Sequence, residues 1–241
     1  MGIAAERARR QFSAGAADLM VTPKSSRRRH ARPRLLWIAA AAVLFIPIGC
    51  FAGPPPPTTA HVYLTFDDGP SAYTPQILTT LEQRGVRATF FVVGANASSY
   101  PSYVQRENGD GDVIGDHTWN HPDLTTLPPD QVRQQLESTA DEIEFLTANR
   151  PTLWRPPYGR YNSTVTQIAS SLGLSMRLWN VDPRDWSLPG TAEIVQRVVD
   201  NVRNGDIVLL HDGGGDRSQT VAALGTIIST LQSRGYSFDT L

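Results

Sequence analysis

The chain has 241 residues, 40% of them apolar, which is enough to bury a substantial core in one large domain or two small ones. Its formal charge of −1 conceals an asymmetry: residues 1–34 carry nine Lys/Arg and two acids, a net of +7, whereas residues 35–241 carry thirteen and twenty-one, a net of −8. The single cysteine, Cys50, excludes an internal disulfide, so the folded body must be held by its core, with a metal as the other available staple.

The basic head does not point to nucleic acid, because residues 35–52 follow it directly as an uncharged apolar run, the pattern of a signal peptide or a transmembrane anchor. The flank Arg27-Arg28-Arg29-His30-Ala31-Arg32-Pro33-Arg34 would stay on the cytoplasmic side. The rest is therefore expected to be exported, either extracellular or anchored through residues 35–52 to the outer face of the cytoplasmic membrane. Cys50-Phe51-Ala52 fits a cleavage site only loosely, Met20 is an alternative start, and Gly49-Cys50 resembles a lipoprotein attachment site except at Pro47. Residues 53–60, with four consecutive prolines, read as a stiff extended spacer, and the folded domain is assigned to residues 61–241.

From His61 onward, short β-like runs alternate with helical periodicity. Val62-Tyr63-Leu64-Thr65-Phe66 reads as a strand, and Thr74-Pro75 as the N-cap and first residue of a helix with a stripe of Ile77, Leu78 and Leu81, ended by Gly85. Residues 88–93 are the next strand. A helix near 130–147 carries Val132, Leu136, Ile143 and Leu146; another near 163–172 stops at Gly173, before a strand at 175–179. Thr191 is expected to cap a helix bearing Ile194, Val195, Val198 and Val202. The wholly apolar Ile207-Val208-Leu209-Leu210 reads as a strand buried on both faces. A last helix uses Val221, Leu224, Ile228 and Leu231, and Gly235 precedes a short final strand. This alternation predicts an α/β domain with a mostly parallel sheet, open or closed, whose chemistry sits at the carboxyl ends of the strands.

The unusual polar residues fall at those ends. Asp67-Asp68-Gly69-Pro70 places two acids at a strand end before a tight turn, so one acid is free to bind a metal while the other acts as a base; an Asp-rich turn is the plain alternative. His117-Thr118-Trp119-Asn120-His121 spaces two imidazoles four apart, on one face if helical, which suits zinc or an ordinary hydrogen-bonded pair. Thr118 stands where a His-Glu-x-x-His metalloprotease has its glutamate, so a base must come from elsewhere. Asp68 with His117 and His121 would form a two-histidine, one-carboxylate set with open positions. Arg155 in Arg155-Pro156-Pro157-Tyr158-Gly159, after a helix, is able to hold Asp67 through two parallel hydrogen bonds, or to remain a solvated loop arginine. Asp182-Pro183-Arg184-Asp185-Trp186 and His211-Asp212 lie beyond two further strands, where His211 beside an acid and an indole would suit a proton donor.

These five clusters occur in this order within one domain, and the chain is identified on them as a member of the polysaccharide deacetylases with a NodB-homology domain, carbohydrate esterase family 4. Thr65-Phe66-Asp67-Asp68-Gly69-Pro70 resembles the family's first motif, His117-Thr118-Trp119-Asn120-His121 the second, Arg155-Pro156-Pro157-Tyr158 the third, Asp182-Pro183-Arg184-Asp185-Trp186 the fourth and residues 207–212 the fifth. The resemblance implies a distorted (β/α) barrel and one divalent metal, zinc, on Asp68, His117 and His121. It implies Asp67 as general base and His211 as general acid, with Arg155 orienting Asp67 and Asp185 supporting His211. The backbone N–H of Tyr158 becomes the oxyanion donor, and Trp186 and Leu209 line the acetyl pocket. The implied reaction removes N-acetyl groups from a cell-wall or chitin-type polysaccharide by a monomeric enzyme. O-deacetylation of xylan, non-catalytic glycan binding and aspartate-based phosphoryl transfer are the competing readings; the last has no use for the histidine pair or His211.

Overall fold

The computed structural model describes residues 60–241; the basic head, the apolar run and all of the spacer except Ala60 lie outside the described residues. Ala60, expected in the spacer, already belongs to the first strand. Seven strands, β1 (Ala60–Asp67), β2 (Thr89–Val92), β3 (Val113–Asp116), β4 (Leu153–Trp154), β5 (Ser175–Met176), β6 (Asp206–His211) and β7 (Tyr236–Phe238), form one sheet. All its pairings are parallel, in the order β5-β4-β3-β2-β1-β6, with β7 beside the start of β1. Helices α1 (Thr74–Arg84), α2 (Gly94–Ser99), α3 (Pro101–Asp110), α4 (Pro129–Thr147), α5 (Ser163–Ser171), α6 (Thr191–Asn201) and α7 (Ser218–Ser233) occupy the connections. Among the described residues no helix is long and apolar enough to cross a membrane.

The two faces of β1 explain the layout, since successive side chains of a strand point to opposite sides. Val62, Leu64 and Phe66 are fully buried in the main core, with Phe90 stacked on Phe66 at 5.1 Å and Ile77, Leu78, Leu224, Ile227 and Ile228 from α1 and α7 packed in the same cluster. Thr65 and Asp67 face the other way. In register with them lie Leu209 and His211 of β6 and Phe91 of β2, so this second face gathers the polar residues. A smaller cluster of Leu124, Val132, Leu136, Trp154, Val165, Ala169 and Leu174 seats α4 and α5 against β4.

Several expectations are corrected. The strand expected over 175–179 ends at Met176, because the carbonyls of Arg177 and Leu178 accept hydrogen bonds from the Arg155 side chain instead of continuing the ladder. Beyond that point Val181 makes a parallel bridge to Val208, so chain leaving β5 at one end of the strand order meets β6 at the other. Neither expected threonine cap forms: Thr74 and Thr191 are themselves the first helical residues, and the Thr74 hydroxyl turns to the Asp212 carboxyl at 2.5 Å. Arg155 follows the two-residue β4 rather than a helix. Helices α2 and α3 and strands β3 and β4 carry too little periodicity to stand out in the sequence.

Phe90→Ala, which removes a fully buried ring from the centre of the main core, is expected to destabilise the fold by about 3–5 kcal/mol. Urea unfolding followed by far-UV circular dichroism measures it, and an unchanged midpoint would contradict this placement of the core.

Candidate active site

β1 runs straight into the acid pair, and a change of backbone hand makes both acids useful. Asp67 is the last residue of the strand and points to the polar face. Strict alternation would send Asp68 to the opposite side, but Asp68 adopts a left-handed conformation, φ 71°, which aspartate tolerates better than most residues. Asn96 of α2 secures this turn by donating from Nδ2 to the Asp68 carbonyl at 2.9 Å.

Arg155 is fully buried, and each of its three guanidinium nitrogens donates to a fixed partner. Nη1 donates to Asp67 Oδ1 at 2.7 Å and to Thr65 Oγ1 at 2.8 Å; Nε and Nη2 donate to the carbonyls of Arg177 and Leu178, each at 3.0 Å. The guanidinium also lies 4.1 Å over the Phe91 ring. The two parallel bonds expected between Arg155 and Asp67 are thus one bond, and the other edge of the fork ties down the chain after β5. Asp67 Oδ2 is left 3.8 Å from His117 Nε2.

The histidine segment after β3 is a loop, not a helix: Thr118 and His121 have φ 68° and 60°. Asp116 Oδ1 accepts from Thr118 N at 2.7 Å, Thr118 Oγ1 from His121 N at 3.1 Å, and Gln135 Oε1 of α4 from both Trp119 N and Asn120 N at 3.1 Å. These bonds replace the helical ladder and turn both rings toward Asp68. His117 Nδ1 lies 2.7 Å from the Arg155 carbonyl, which only accepts, so Nδ1 carries the proton and the Nε2 lone pair faces inward. Asp68 Oδ1 sits 3.4 Å from His117 Nε2 and 3.1 Å from His121 Nε2. Burial opposes its ionisation, but when the two imidazoles carry protons on Nε2 they hold the carboxyl well below the usual range, with His211 adding to their pull.

Asp68 Oδ1 is nevertheless buried without hydrogen-bond geometry to any partner. One carboxylate oxygen and two imidazole nitrogens within 4.8 Å of one another, with the oxygen unsatisfied, fit a divalent cation held between them. The glycine run after β6 packs directly on this ligand: a Cβ on Gly213 would lie 2.0 Å from the Asp68 carbonyl oxygen, and one on Gly214 2.4 Å from Asp68 Oδ2.

Across the cleft, His211 Nδ1 pairs with Asp185 Oδ1 at 2.8 Å, while Asp185 Oδ2 accepts from His211 N at 2.9 Å and Thr220 Oγ1 at 2.8 Å. Asp185 is fully buried, and Trp186 N donates to its Oδ1 at 2.9 Å. Burial disfavours the His211 imidazolium, yet the hydrogen bond and charge of Asp185, with Asp67 and Asp68 beyond, raise its pKa above the ordinary value. Both nitrogens are accounted for: Nδ1 on Asp185, Nε2 for the cleft.

These groups share one cavity of about 850 Å³, lined also by Tyr158, Trp179, Trp186 and Leu209. Tyr158 has φ 58° and meets His121 edge-on at 4.7 Å. Every residue singled out in the sequence reaches this region: Asp67, Asp68, His117, His121, Tyr158, Trp186, Leu209 and His211 line the cavity, and Arg155 and Asp185 stand directly behind it. Sequence reasoning missed Thr65, Asn96, Asp116, Gln135, Thr220 and the glycine contacts. Only the run Gly213-Gly214-Gly215 beside His211-Asp212 carried a visible signal of close backbone approach.

Residues 55–177 match the family model for polysaccharide deacetylase. The chain is 42% identical over 185 residues to a peptidoglycan-N-acetylglucosamine deacetylase of Bacillus cereus, covering 75% of this chain and 85% of that one. It is 35% identical over 195 residues to a chitooligosaccharide deacetylase of Azorhizobium caulinodans, covering 76% and 93%. Among solved structures it superposes with a TM-score of 0.74 on a peptidoglycan N-acetylglucosamine deacetylase crystallised with an N-hydroxybenzamide compound, at 37% identity over 77% of this chain and 88% of that one.

Arg155→Met would strand the Asp67 carboxylate and two carbonyls, and a loss of roughly 3–5 kcal/mol is expected from denaturant unfolding. For His211, a folded pKa above the unfolded one means that its pairing with Asp185 stabilises fully below about pH 6.5 and fades as pH rises through the raised value. With metal chelated, the difference in urea midpoint between wild type and His211→Gln should therefore be larger at pH 6 than at pH 9; a difference that grows with pH would reverse the assignment.

Proposed function

The chain belongs to the polysaccharide deacetylase family, carbohydrate esterase family 4, and is a hydrolase of that kind; from that premise we propose that it removes N-acetyl groups from an amino-sugar polymer, peptidoglycan ahead of chitin-type oligomers. The observation that carries the reading is the convergence on one cleft of an unsatisfied Asp68 Oδ1 between two imidazoles, an Arg155-held Asp67, and a His211 backed by a buried carboxylate. The parallel sheet, bridged from the chain after β5 to β6, is taken as the distorted barrel of this family.

Asp68, His117 and His121 would hold the cation, for which zinc suits a donor set of one oxygen and two nitrogens, and which when bound supplies polarisation of the acetyl carbonyl and a more acidic water. Asp67 takes the proton of the attacking water. Its single bond to Arg155 fixes Oδ1 and leaves Oδ2 on the cleft side. The developing oxyanion receives the backbone N–H of Tyr158. His211, kept protonated by Asp185, gives its Nε2 proton to the departing sugar amine, which is too basic to leave as an anion. Trp186, 47% exposed, and the buried Leu209 enclose the acetyl methyl.

The basic head and apolar run support export, with the catalytic domain extracellular or anchored on the outer face of the membrane through residues 35–52. A proline spacer between anchor and domain would reach the adjoining cell wall, which favours peptidoglycan over free chitin oligomers. A monomer suffices, since the groups assigned to the chemistry all come from one chain. O-deacetylation of xylan remains the second reading, because the same water and proton donors serve an ester.

Acetate release by the full-length protein from peptidoglycan, chitin oligomers and acetylated xylan, with zinc restored after chelation, tests the reading; no release from any of them would sink it. Asp67→Asn should retain metal and lose about 10²–10⁴-fold in kcat, whereas His117→Ala should lose metal as well. Equal metal loss in the two variants would overturn the division of roles. His211→Ala should slow amides far more than activated esters, and an equal loss on both would remove its role as acid.

A further inference from the structure

Of the charged side chains lining the cavity, Asp67, Asp68 and Asp182 are acids, and Arg217 alone is a Lys or Arg. Arg217 is only 4% exposed, yet no carboxylate among the described residues forms an ion pair with it. Its Nε donates to the Gly213 carbonyl at 2.7 Å and Nη1 to the Asp216 carbonyl at 2.8 Å. Nη2 makes no hydrogen bond among the described residues and is not among the buried polar atoms sealed from solvent. Two fixed bonds hold the guanidinium in one orientation, its remaining edge is unclaimed among the described residues, and the side chain lines the cavity. Gly215 keeps that edge uncovered: a Cβ there would stand 3.6 Å from both Nη1 and Nη2, and any longer side chain could fold over them.

The one acid beside Arg217, the exposed Asp216, is out of ion-pair reach and accepts instead from Tyr73 Oη and Ser218 N; a guanidinium so withdrawn from water with no direct counter-ion is costly, and it binds a planar carboxylate better than any neutral group. We propose that Arg217 is a substrate-binding residue that recognises a carboxylate on a sugar next to the one being deacetylated. This rests on the deacetylase reading and narrows its substrate to an acidic amino-sugar polymer. A peptidoglycan strand supplies such a group on the lactyl ether of alternate sugars or on the peptide attached to it, and chitin supplies none. Apart from the His211 imidazolium and the cation site, which the deacetylase reading gives to the reacting amide, Arg217 is the one cationic side chain that the cavity offers an anion.

The test uses the full-length zinc-loaded protein and three oligomers of equal length: a neutral N-acetylglucosamine oligomer, one alternating with sugars that bear a free lactyl carboxylate, and the same with a peptide on the lactyl group. Acetate release is followed by kinetics and affinity by calorimetry, for wild type, Arg217→Gln and Arg217→Lys. The wild type should bind at least one acidic oligomer more tightly than the neutral one. Arg217→Gln should lower that affinity ratio, and the matching ratio of kcat/KM, about tenfold, with Arg217→Lys in between. Which acidic oligomer responds identifies the lactyl or the peptide carboxylate. An equal loss on all three, with a lowered Tm, would make Arg217 only a clamp on the glycine loop and overturn the proposal, as would an unchanged ratio in a well-folded Arg217→Gln. If no oligomer yields acetate, the deacetylase reading fails, while the affinity ratio still decides the role of Arg217.

Discussion

The buried guanidinium of Arg155 is the interaction on which the rest of the site depends. It fills the polar face of the sheet, where four donated bonds connect β1, through Thr65 and Asp67, to the chain leaving β5. A cation in such a place is tolerable only because each of those bonds is made, one of them to a carboxylate. The same bonds end β5 early and steer the chain toward Val181 and its bridge to β6. Its backbone is used as well, since the Arg155 carbonyl sets the tautomer of His117. One residue therefore fixes the Asp67 carboxyl, the His117 imidazole and the wall that carries Trp179.

Around this anchor, left-handed residues do what regular structure cannot. A parallel strand presents alternate side chains to opposite faces, so two neighbouring acids would be split between core and cleft. Positive φ at Asp68, Thr118, His121 and Tyr158 re-aims the chain at the strand ends and brings their groups to one point. Each such residue costs of order 1 kcal/mol in an unsupported chain. A side-chain bond from Asn96 holds the Asp68 turn in place, and bonds from Asp116 and Gln135 hold the 118–121 turn. The glycine loop over Asp68 adds a steric limit, leaving no room for a side chain at Gly213 or Gly214.

Charge is arranged with the same economy. Asp67, Asp68 and Asp185 gather negative charge around the largely buried His211. That charge raises the His211 pKa against the effect of burial, which favours the imidazolium that the proposed role as proton donor calls for. Asp185 spends both oxygens on His211, one through the ring and one through the backbone N–H, and this fixes the ring as well as its charge.

The sequence by itself determined most of the alternation of strands and helices from hydrophobic period, and it placed the clusters at Asp67, Asp182 and His211 beyond strands, because both signals are local; β3 and β4, which carry the clusters at His117 and Arg155, are too short to show one. It also determined the chemical types available: two acids, two imidazoles four apart, a lone arginine and a histidine beside an acid. Tertiary structure alone decided that Arg155 grips Asp67 with one bond rather than two, since the other edge of its fork is claimed by carbonyls 22 and 23 residues away in sequence. It decided that the histidine segment is a loop, because Gln135 and Asp116 offer its backbone better partners than a helical ladder. Thr220 behind Asp185 and Asn96 behind Asp68 were illegible for the same reason. Their roles depend on contacts made across the sheet, which no periodicity along the chain encodes.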